Sequence, residues 1–266
     1  MRPIKFLLIP FFFCLLTNTV FSQTADFTAE PTTVCSGSSV TFTDESSETT
    51  GTVNYSWDFG TGASPATATG VGPHTVTYTG SGTSTVSLTI TDDDGSDTET
   101  KVDYITINAL PTVSITGSTS ICVGNTTTLS PTTGGSWTSS DELVATVTDD
   151  GIVTGVSAGT ASFTYTDGTT NCSNTTEEVT VNALPTVSIT GSTSICVGST
   201  TTLSPTSGGS WTSSDESVAT VTDDGIVTGV SAGTASFTYT DGTTNCSNTT
   251  EEVTVNALPT VSITGP

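Results

Sequence analysis

Basic residues are almost absent from this chain. It contains three Lys and Arg residues and one His residue, against 26 Asp and Glu residues. Arg2 and Lys5 lie in the N-terminal segment, so Lys101 is the only Lys or Arg residue after it. A surface with this charge repels nucleic acid and anionic lipid, which makes both poor partners. We therefore predict no nucleic-acid partner and no membrane insertion.

The shortage of basic side chains also restricts catalysis. Residues 109–266 contain no His, Lys or Arg, so a Ser-His-Asp arrangement cannot be built there. His74 is the only histidine of the chain and therefore its only candidate base of this type. Paired carboxylates of the glycosidase type need only Asp or Glu and stay open as an alternative. We predict that the chain is not an enzyme and that it has no cofactor.

Long apolar runs are missing except at the N-terminus. There, Phe6–Leu16 follows two basic residues, and Val20 and Ser22 occupy the −3 and −1 positions of a cleavage site. This pattern is typical of a secretory signal peptide, here residues 1–22. The apolar run is too short to span a bilayer comfortably. We predict that the protein is secreted or displayed on the cell surface.

A tandem duplication dominates the rest of the chain. Residues 109–182 and 183–256 align without gaps and differ at three positions. The differing pairs are Asn125 and Ser199, Thr133 and Ser207, and Leu143 and Ser217. Such a copy indicates duplication of a folding unit. Single-site catalysis gains nothing from it, whereas reach, stiffness and multivalency do, so the repeat favours a spacer or a binding array over an enzyme.

Each repeat reads as a series of short strands. The alternating runs between turn residues are TVSIT, TTTLSP, SWTSSD, VATVT, IVTGV, TASFTYT and EEVTV. No stretch has an amphipathic helical period of useful length. Seven short strands separated by Gly, Asp and Pro predict an all-β fold, with one antiparallel two-sheet sandwich per repeat. Asp149-Asp150-Gly151 is predicted to form a hairpin turn.

Cysteine spacing is the same in both repeats. Cys122 and Cys172 are separated by the same 50 residues as Cys196 and Cys246. In an oxidising compartment the simplest pairing is within each repeat, and closing such a loop stabilises by roughly 4 kcal/mol. A zinc site lacks ligands, since the repeats have no histidine. Cys35 is left over, and we predict that it is a buried small apolar residue; pairing outside this chain is the alternative.

One segment of each repeat resembles a known family. The run GGSWTSSDELVATVTDDGIVTGVSAGTASFTYT at 134–166, and its copy at 208–240, is similar to a bacterial immunoglobulin-like domain of group 2. That family typically shows Trp-Ser-Ser-Ser-Asp, then Val-Ala-Thr-Val, Gly-x-Val-Thr and Ala-Gly-Thr-Ala. The resemblance implies a β-sandwich, with Trp137 and Trp211 as core residues. Such domains occur in surface adhesins and are also appended to secreted enzymes, and the family brings no catalytic residues.

The segment before the repeats, residues 23–108, does not align with them. Its run WDFGTG resembles the Trp-Asp-Phe-Gly-Asp-Gly motif of PKD domains, with Thr61 where that family usually has Asp. The resemblance implies another seven-stranded sandwich. Trp57 is expected to anchor its core, because large aromatic side chains fill sandwich interiors. The predicted core motif consists of Trp57, Asp58, Phe59 and Gly60.

One acidic cluster has the composition of a calcium loop. The run TDDDGSDTE at 91–99 offers Asp92, Asp94 and Asp97 as candidate ligands. Ile90 occupies a position where an EF-type loop needs an oxygen ligand. A solvated hairpin turn explains the same residues, because Asp and Gly are favoured in turns. We predict a turn without metal, with calcium binding as the alternative.

The last ten residues restart the repeat. NALPTVSITG occurs at 108–117, 182–191 and 256–265. We predict that 257–266 is the first strand of a truncated third repeat, which would continue close to STSICVG. The alternative is that another molecule's strand edge completes it by strand donation.

These observations predict a non-catalytic structural or adhesive region of a large secreted or cell-surface bacterial protein. It would act as a rigid, disulfide-linked spacer or a binding array, with surface glycans or proteins of other cells as partners. The alternative is an accessory region of an exported polysaccharide hydrolase or protease whose catalytic domain lies outside this sequence.

Overall fold

The computed structural model describes residues 22–262 and Gly265. The predicted signal peptide, residues 1–22, lies outside the described residues except for Ser22. All regular elements in the described residues are β-strands. These residues contain no helix that is long and apolar enough to cross a membrane. The predicted all-β class is confirmed. The chain divides into two compact units between Ala109 and Leu110.

The described residues of the first unit form nine strands in two sheets, with the orders β1-β3-β7-β5 and β2-β9-β8-β4-β6. The strands are β1 Phe27–Glu30, β2 Thr33–Cys35, β3 Ser39–Asp44, β4 Asn54–Asp58, β5 Ala63–Ser64, β6 Thr67–Thr69, β7 His74–Tyr78, β8 Gly82–Asp92 and β9 Gly95–Asn108. Val86, Leu88 and Ile90 alternate with more exposed residues along β8 and face the core. This alternation is the burial pattern that a half-buried strand requires.

The predicted aromatic motif lies in the core of this unit. Trp57 and Phe59 are buried, and their rings stack with centroids 5.7 Å apart. The Trp57 indole Nε1 donates a hydrogen bond to the Gly70 carbonyl at 3.0 Å. The His74 ring packs edge-on against Trp57 at 5.4 Å, and its Nε2 lies 3.0 Å from the same Gly70 carbonyl. His74 is therefore a packing residue.

Asp58 and Gly60 shape the turn that follows the aromatic residues. The Asp58 carboxylate accepts a hydrogen bond from the Gly60 N–H at 2.9 Å. Gly60 has φ +77°, and a Cβ atom there would lie 2.2 Å from the Thr85 carbonyl oxygen. Only glycine fits such a close backbone approach at positive φ. The motif is thus structural.

Lys101 is used inside this unit as well. Its Nζ donates to Asp26 Oδ1 at 2.9 Å and to the Phe27 carbonyl, and lies over the rings of Phe27 and Tyr104 at 4.7 and 5.3 Å. The hydrogen bond from Lys101 lowers the pKa of the Asp26 carboxyl. Burial pulls the pKa of Lys101 down, but its bond and attraction to Asp26 outweigh burial and raise it.

The two repeats have the same ten-strand arrangement. In repeat 1 the strands are β10 Ser114–Ile115, β11 Ser120–Cys122, β12 Thr126–Ser130, β13 Gly135–Ser139, β14 Ala145–Val147, β15 Ile152–Gly155, β16 Gly159–Ala161, β17 Phe163–Asp167, β18 Ser173–Thr175 and β19 Val179–Asn182. In repeat 2 they are β20 Ser188–Ile189, β21 Ser194–Cys196, β22 Thr200–Ser204, β23 Gly209–Ser213, β24 Ala219–Val221, β25 Ile226–Gly229, β26 Gly233–Ala235, β27 Phe237–Asp241, β28 Ser247–Thr249 and β29 Val253–Asn256.

Each repeat has three more strands than the seven runs suggested. In repeat 1 the sheets have the orders β10-β12-β15-β14, β11-β19-β16 and β13-β17-β18. The run TASFTYT divides at Ser162, so that Ala161 pairs with Val179 and Phe163 pairs with Ser139. One continuous apolar run thus serves two sheets, which alternation alone does not reveal. The short strands β11 and β18 are the other two additions.

A tryptophan and a tyrosine organise the core of each repeat. Trp137 is 4% exposed, and its indole Nε1 donates to the Pro131 carbonyl at 2.9 Å. Its ring centroid lies 5.1 Å from that of Tyr165, whose hydroxyl donates to the Thr133 carbonyl at 2.8 Å. Trp211 and Tyr239 make the corresponding contacts in repeat 2. Both predicted tryptophans are therefore core residues.

The hairpin between β14 and β15 forms where the sequence predicted it. Val147 pairs with Val153, and Gly151 in the turn has φ +76°. The Gly151 N–H donates to the Thr148 carbonyl at 2.8 Å and closes the turn.

The substitution at position 143 lies outside the repeat cores. Leu143 is 79% exposed, whereas Ser217 at the same place in repeat 2 donates from Oγ to Asp215 Oδ1 at 2.6 Å. This hydrogen bond, together with the one from the Ser217 N–H, lowers the pKa of Asp215. Repeat 2 thus gains a polar contact and exposes less apolar surface here.

Residues Ala257–Ser262 lie outside any strand and are exposed. The corresponding segment of repeat 2 forms β20, which pairs with β22. Ile263, Thr264 and Pro266 lie outside the described residues. The assignment of 257–266 to a truncated repeat therefore stays a prediction.

We expect Trp137→Phe to destabilise the chain by about 2 kcal/mol, because it leaves a cavity and removes the bond to the Pro131 carbonyl. Leu143→Ser is the matched control, since repeat 2 carries Ser there, and should change stability by less than about 0.5 kcal/mol. Urea unfolding followed by circular dichroism measures both. Equal midpoints for the two variants would contradict this role of Trp137.

We expect Asp26→Asn to destabilise the first unit at pH 7 by about 1 kcal/mol or less, because the ion pair is partly exposed. The folded-state pKa of Asp26 is depressed, so its contribution is present above the unfolded pKa and is lost as pH falls through the folded value. Thermal unfolding at pH 7 and at pH 2 should therefore show a difference from the parent chain that shrinks in acid. Glu30→Gln, at an exposed carboxylate, is the control, and a difference that persists in acid would argue against the pair.

Candidate functional site: the junction between the repeats

A disulfide joins the two repeats. Cys122 of repeat 1 is bonded to Cys246 of repeat 2, with an S–S distance of 1.99 Å and a Cα–Cα distance of 5.6 Å. The predicted pairs within each repeat, Cys122 with Cys172 and Cys196 with Cys246, are therefore wrong. The bond spans 124 residues of sequence.

Cys122 lies where the chain leaves repeat 1. The strand β11 pairs in parallel with the last strand, β19, and places Cys122 opposite Asn182. The Asn182 side-chain amide donates to Ser120 Oγ at 2.8 Å and to the Ile121 carbonyl at 3.2 Å. The Val123 N–H donates to the Asn182 carbonyl at 3.0 Å. These bonds fix the cysteine beside the start of the connector to repeat 2.

Cys246 lies in a tightly bonded loop between β27 and β28. The Asp241 carboxylate accepts the Thr244 N–H at 2.8 Å, the Thr243 N–H at 3.0 Å and the Thr244 hydroxyl at 3.0 Å. These bonds, the Thr244 N–H first, lower the pKa of Asp241. Asn245 has φ +57°, and the Asp241 N–H donates to the Cys246 carbonyl at 2.9 Å. The loop therefore presents the cysteine in a fixed position.

This loop lies where the chain enters repeat 2. The side-chain amide of Asn248, two residues after the cysteine, donates to the Pro185 carbonyl of the connector at 3.0 Å. Asn182–Pro185 and the loop residues Asp241 and Thr244 together line a cavity of about 280 Å³. The connector is thus held by both repeats.

The geometry explains why the predicted pairing fails. In repeat 1, Cys122 lies beside Asn182 at the exit, whereas the loop of Cys172 lies beside Pro111 at the entry, where the Asn174 amide donates to the Pro111 carbonyl at 3.0 Å. The two cysteines of a repeat are therefore at opposite ends of it. The equal spacing of 50 residues between the cysteines of each repeat therefore does not indicate that their sulfur atoms are close in space.

The other described cysteines differ in their bonding state. Cys172 is buried and disulfide-bonded, and Cys35 is half-buried and disulfide-bonded, so the prediction that Cys35 is a buried unpaired residue is wrong. Cys196 is free and exposed. One feature of the sequence indicated that cysteines pair between domains. Cys35 ends strand β2 as Cys122 ends β11, yet residues 23–108 have no second cysteine.

Each repeat also carries an open groove beside its first strand. In repeat 1 it measures about 470 Å³ and lies between Val113–Ile115 and Asn174–Glu177. In repeat 2 the groove of about 400 Å³ lies between Val187–Ile189 and Asn248–Glu251. The strands β10 and β18 are edge strands of their sheets. The groove is therefore duplicated with the repeat.

The carboxylates of the predicted acidic cluster accept hydrogen bonds from one local residue and from two distant segments of the first unit. Asp92 accepts the Thr50 N–H at 2.8 Å and the Asp94 N–H at 2.9 Å, and the first of these bonds is the main cause of its lowered pKa. Asp94 accepts the Thr50 hydroxyl at 2.7 Å, and Asp97 accepts the Ala25 N–H at 2.8 Å. Within the described residues, no group of three or more His, Cys, Asp or Glu side chains is placed to hold a metal ion.

Comparison with family models identifies both kinds of domain. Residues 23–107 match the PKD domain, and residues 175–255 match the bacterial Ig-like domain (group 2). Both resemblances drawn from the sequence are confirmed. Neither match is to a catalytic domain. No curated protein matches the chain.

Several solved structures are similar to this chain. Invasin, described as a bacterial integrin-binding protein, is 16% identical with a TM-score of 0.34, and the match covers 87% of this chain and 59% of that one. A C-terminal fragment of intimin, in complex with the intimin-binding domain of its translocated receptor, is 16% identical with a TM-score of 0.34 and coverage of 61% and 64%. An I-band fragment of titin is 10% identical with a TM-score of 0.34 and coverage of 89% and 99%.

We expect peptide mapping without reduction to recover Cys122 linked to Cys246. Cleavage after Asp and Glu gives identical fragments around Cys172 and Cys246, so Thr243→Ser is introduced as a mass mark in the second loop only. Thr243 is exposed and contributes its backbone N–H to the loop. The linked fragment should carry the mark, and Cys196 should react with an alkylating reagent. An unmarked fragment linked to that of Cys122 would restore the pairing within the repeat.

Proposed function

We propose that this chain is a non-catalytic, load-bearing region of a bacterial surface protein of the adhesin type, in which its domains act as a stiff, disulfide-linked spacer. The observation that carries the proposal is the covalent bond between two successive repeats. The N-terminal sequence predicts export to an oxidising compartment, and such a bond forms and persists in that environment.

The disulfide changes how tension passes through the repeats. Tension applied across the repeats enters at Leu110, reaches Cys122, crosses the S–S bond to Cys246 and leaves through β29. The residues between these cysteines are in a closed loop and bear no load while the bond is intact. A bond within one repeat would protect only the 50 residues between its own cysteines. Pairing across the junction therefore protects most of both repeats at once.

The junction is also suited to keep the two repeats in a fixed orientation relative to each other. A flexible linker needs Gly and Ser residues that make no contacts, whereas Asn182 and Pro185 are both hydrogen-bonded to the repeats on either side. Pro185 further restricts the backbone of the residue before it. Two attachments, the connector and the disulfide, limit rotation of one repeat against the other.

A binding array is a second function that the duplicated groove favours. The groove of each repeat has an unpaired strand edge and the side chains of Val113 and Ile115 or their counterparts, which suits an extended peptide or a glycan chain. Surface glycans or proteins of other cells are the partners this proposal includes. Spacer and array are compatible, because a stiff spacer presents repeated grooves at fixed separation.

We expect the disulfide to hide most of the extension of the repeats. Bioorthogonal handles at Ala109 and Ala257, both exposed, allow the second unit to be stretched in an optical trap. The 124 residues spanned by the bond correspond to roughly 400–450 Å of extended chain. The parent should lack this extension, and Cys122→Ser combined with Cys246→Ser should release it.

Cys196→Ser is the matched control for the stretching experiment. Cys196 is free, so its removal should leave the short extension of the parent unchanged. Reducing the parent should reproduce the extension of the double variant. A parent that extends as far as the double variant under oxidising conditions would refute the load-bearing role of the bond.

A further inference from the structure

Repeat 2 ends in the same backbone arrangement that holds Cys122 in repeat 1. The strand β21 pairs in parallel with β29 and places Cys196 opposite Asn256. The Asn256 amide donates to Ser194 Oγ at 2.8 Å and to the Ile195 carbonyl at 3.2 Å. The corresponding distances in repeat 1 are the same. Cys196 therefore occupies the bonding position of Cys122.

The two exit ends differ in what covers them. Cys122 is 8% exposed and bonded, whereas Cys196 is exposed and free. Leu184 of the connector is 39% exposed, and its counterpart Leu258 is 59% exposed. Pro185 is half-buried and accepts a bond from the loop of repeat 2, whereas Pro259 is exposed. The exit end of repeat 2 thus exposes the surface that repeat 2 itself covers on repeat 1.

The occupant that fits this surface is defined by the existing junction. It must offer a cysteine in a rigid Asp-Gly-Thr-Thr-Asn-Cys loop, as repeat 2 does, and an Asn two residues later to bond the connector proline. The connector sequence Asn-Ala-Leu-Pro stands at 182–185 and again at 256–259. Cys122, the counterpart of Cys196 in repeat 1, forms its disulfide from this same position.

We propose that the exit end of repeat 2, formed by Cys196, Asn256 and the connector Asn256–Pro259, is a docking surface for a further repeat of this sequence, which it holds by a disulfide from Cys196 to that repeat's loop cysteine. Two thiols form one S–S bond, and two protons and two electrons pass to a disulfide oxidant such as oxidised glutathione, which becomes two thiols. The proposal depends on the junction geometry and not on load bearing, so either can fail while the other stands.

The test extends the chain by one repeat. A copy of residues 183–256 is joined after Asn256 in place of 257–266. Only this copy carries two mass marks, the change corresponding to Thr243→Ser in its loop fragment and the change corresponding to Ser199→Asn, the residue that repeat 1 has at this place, in the fragment of its first cysteine. The protein is refolded with oxidised and reduced glutathione and mapped without reduction. We expect the unmarked fragment of Cys196 to be linked to the marked loop fragment, Cys122 to be linked still to an unmarked loop, and the free thiol to lie in the marked fragment of the copy of Cys196.

Two controls make the result decisive. In the extended chain with the loop cysteine of the copy changed to Ser, Cys196 should again react with an alkylating reagent while circular dichroism shows the added repeat folded. The parent chain should alkylate at Cys196 before unfolding. The proposal is overturned if Cys196 of the extended chain stays reactive, bonds to the other cysteine of the copy, or forms only a Cys196–Cys196 link between two molecules.

Discussion

Parallel pairing of a three-residue strand with the last strand of its own domain is the contact on which this molecule depends. In the described part of the chain it pairs β2 with β9, β11 with β19, and β21 with β29. Each short strand ends in a cysteine, and each cysteine lies opposite the asparagine that begins the next connector. A covalent partner is thereby offered at the point where the chain leaves the domain. Within the second unit, this pairing places Cys122 at the junction between the two repeats.

This arrangement changes how a small sandwich is stabilised. A domain of 74 residues buries a modest share of its surface and is marginal by itself. Closing a loop of 124 residues stabilises the folded state by about 5 kcal/mol on the chain-entropy model, and here the loop includes parts of both repeats. Repeat 1 and repeat 2 are thus stabilised as a pair. The Trp137 and Trp211 cores, by contrast, belong to one repeat each.

Much of the fold could be predicted from the sequence, because alternation and turn chemistry are local. The all-β class, the turn at Gly151 and the burial of Trp57 all follow from residues close together in the chain. The division of one run at Ser162 could not be predicted, since the choice of sheet depends on which distant strand lies nearby. The predicted cysteine pairing was wrong for the same reason. Cys122 and Cys172 belong to one repeat, yet the tertiary structure places them at opposite ends of it. The unmatched Cys35 was the only local sign of this.

The bond between Cys122 and Cys246 also determines what a protease can achieve. The hairpin at Ile152 is exposed, as are many residues between the two cysteines, so a peptide bond there is open to cleavage. A single cut anywhere between the two cysteines leaves both fragments attached through sulfur. After such a cut, separating the two fragments would require reduction as well as hydrolysis. In a habitat rich in secreted peptidases, the chain on either side of the bonded cysteines would stay connected after a cut between them.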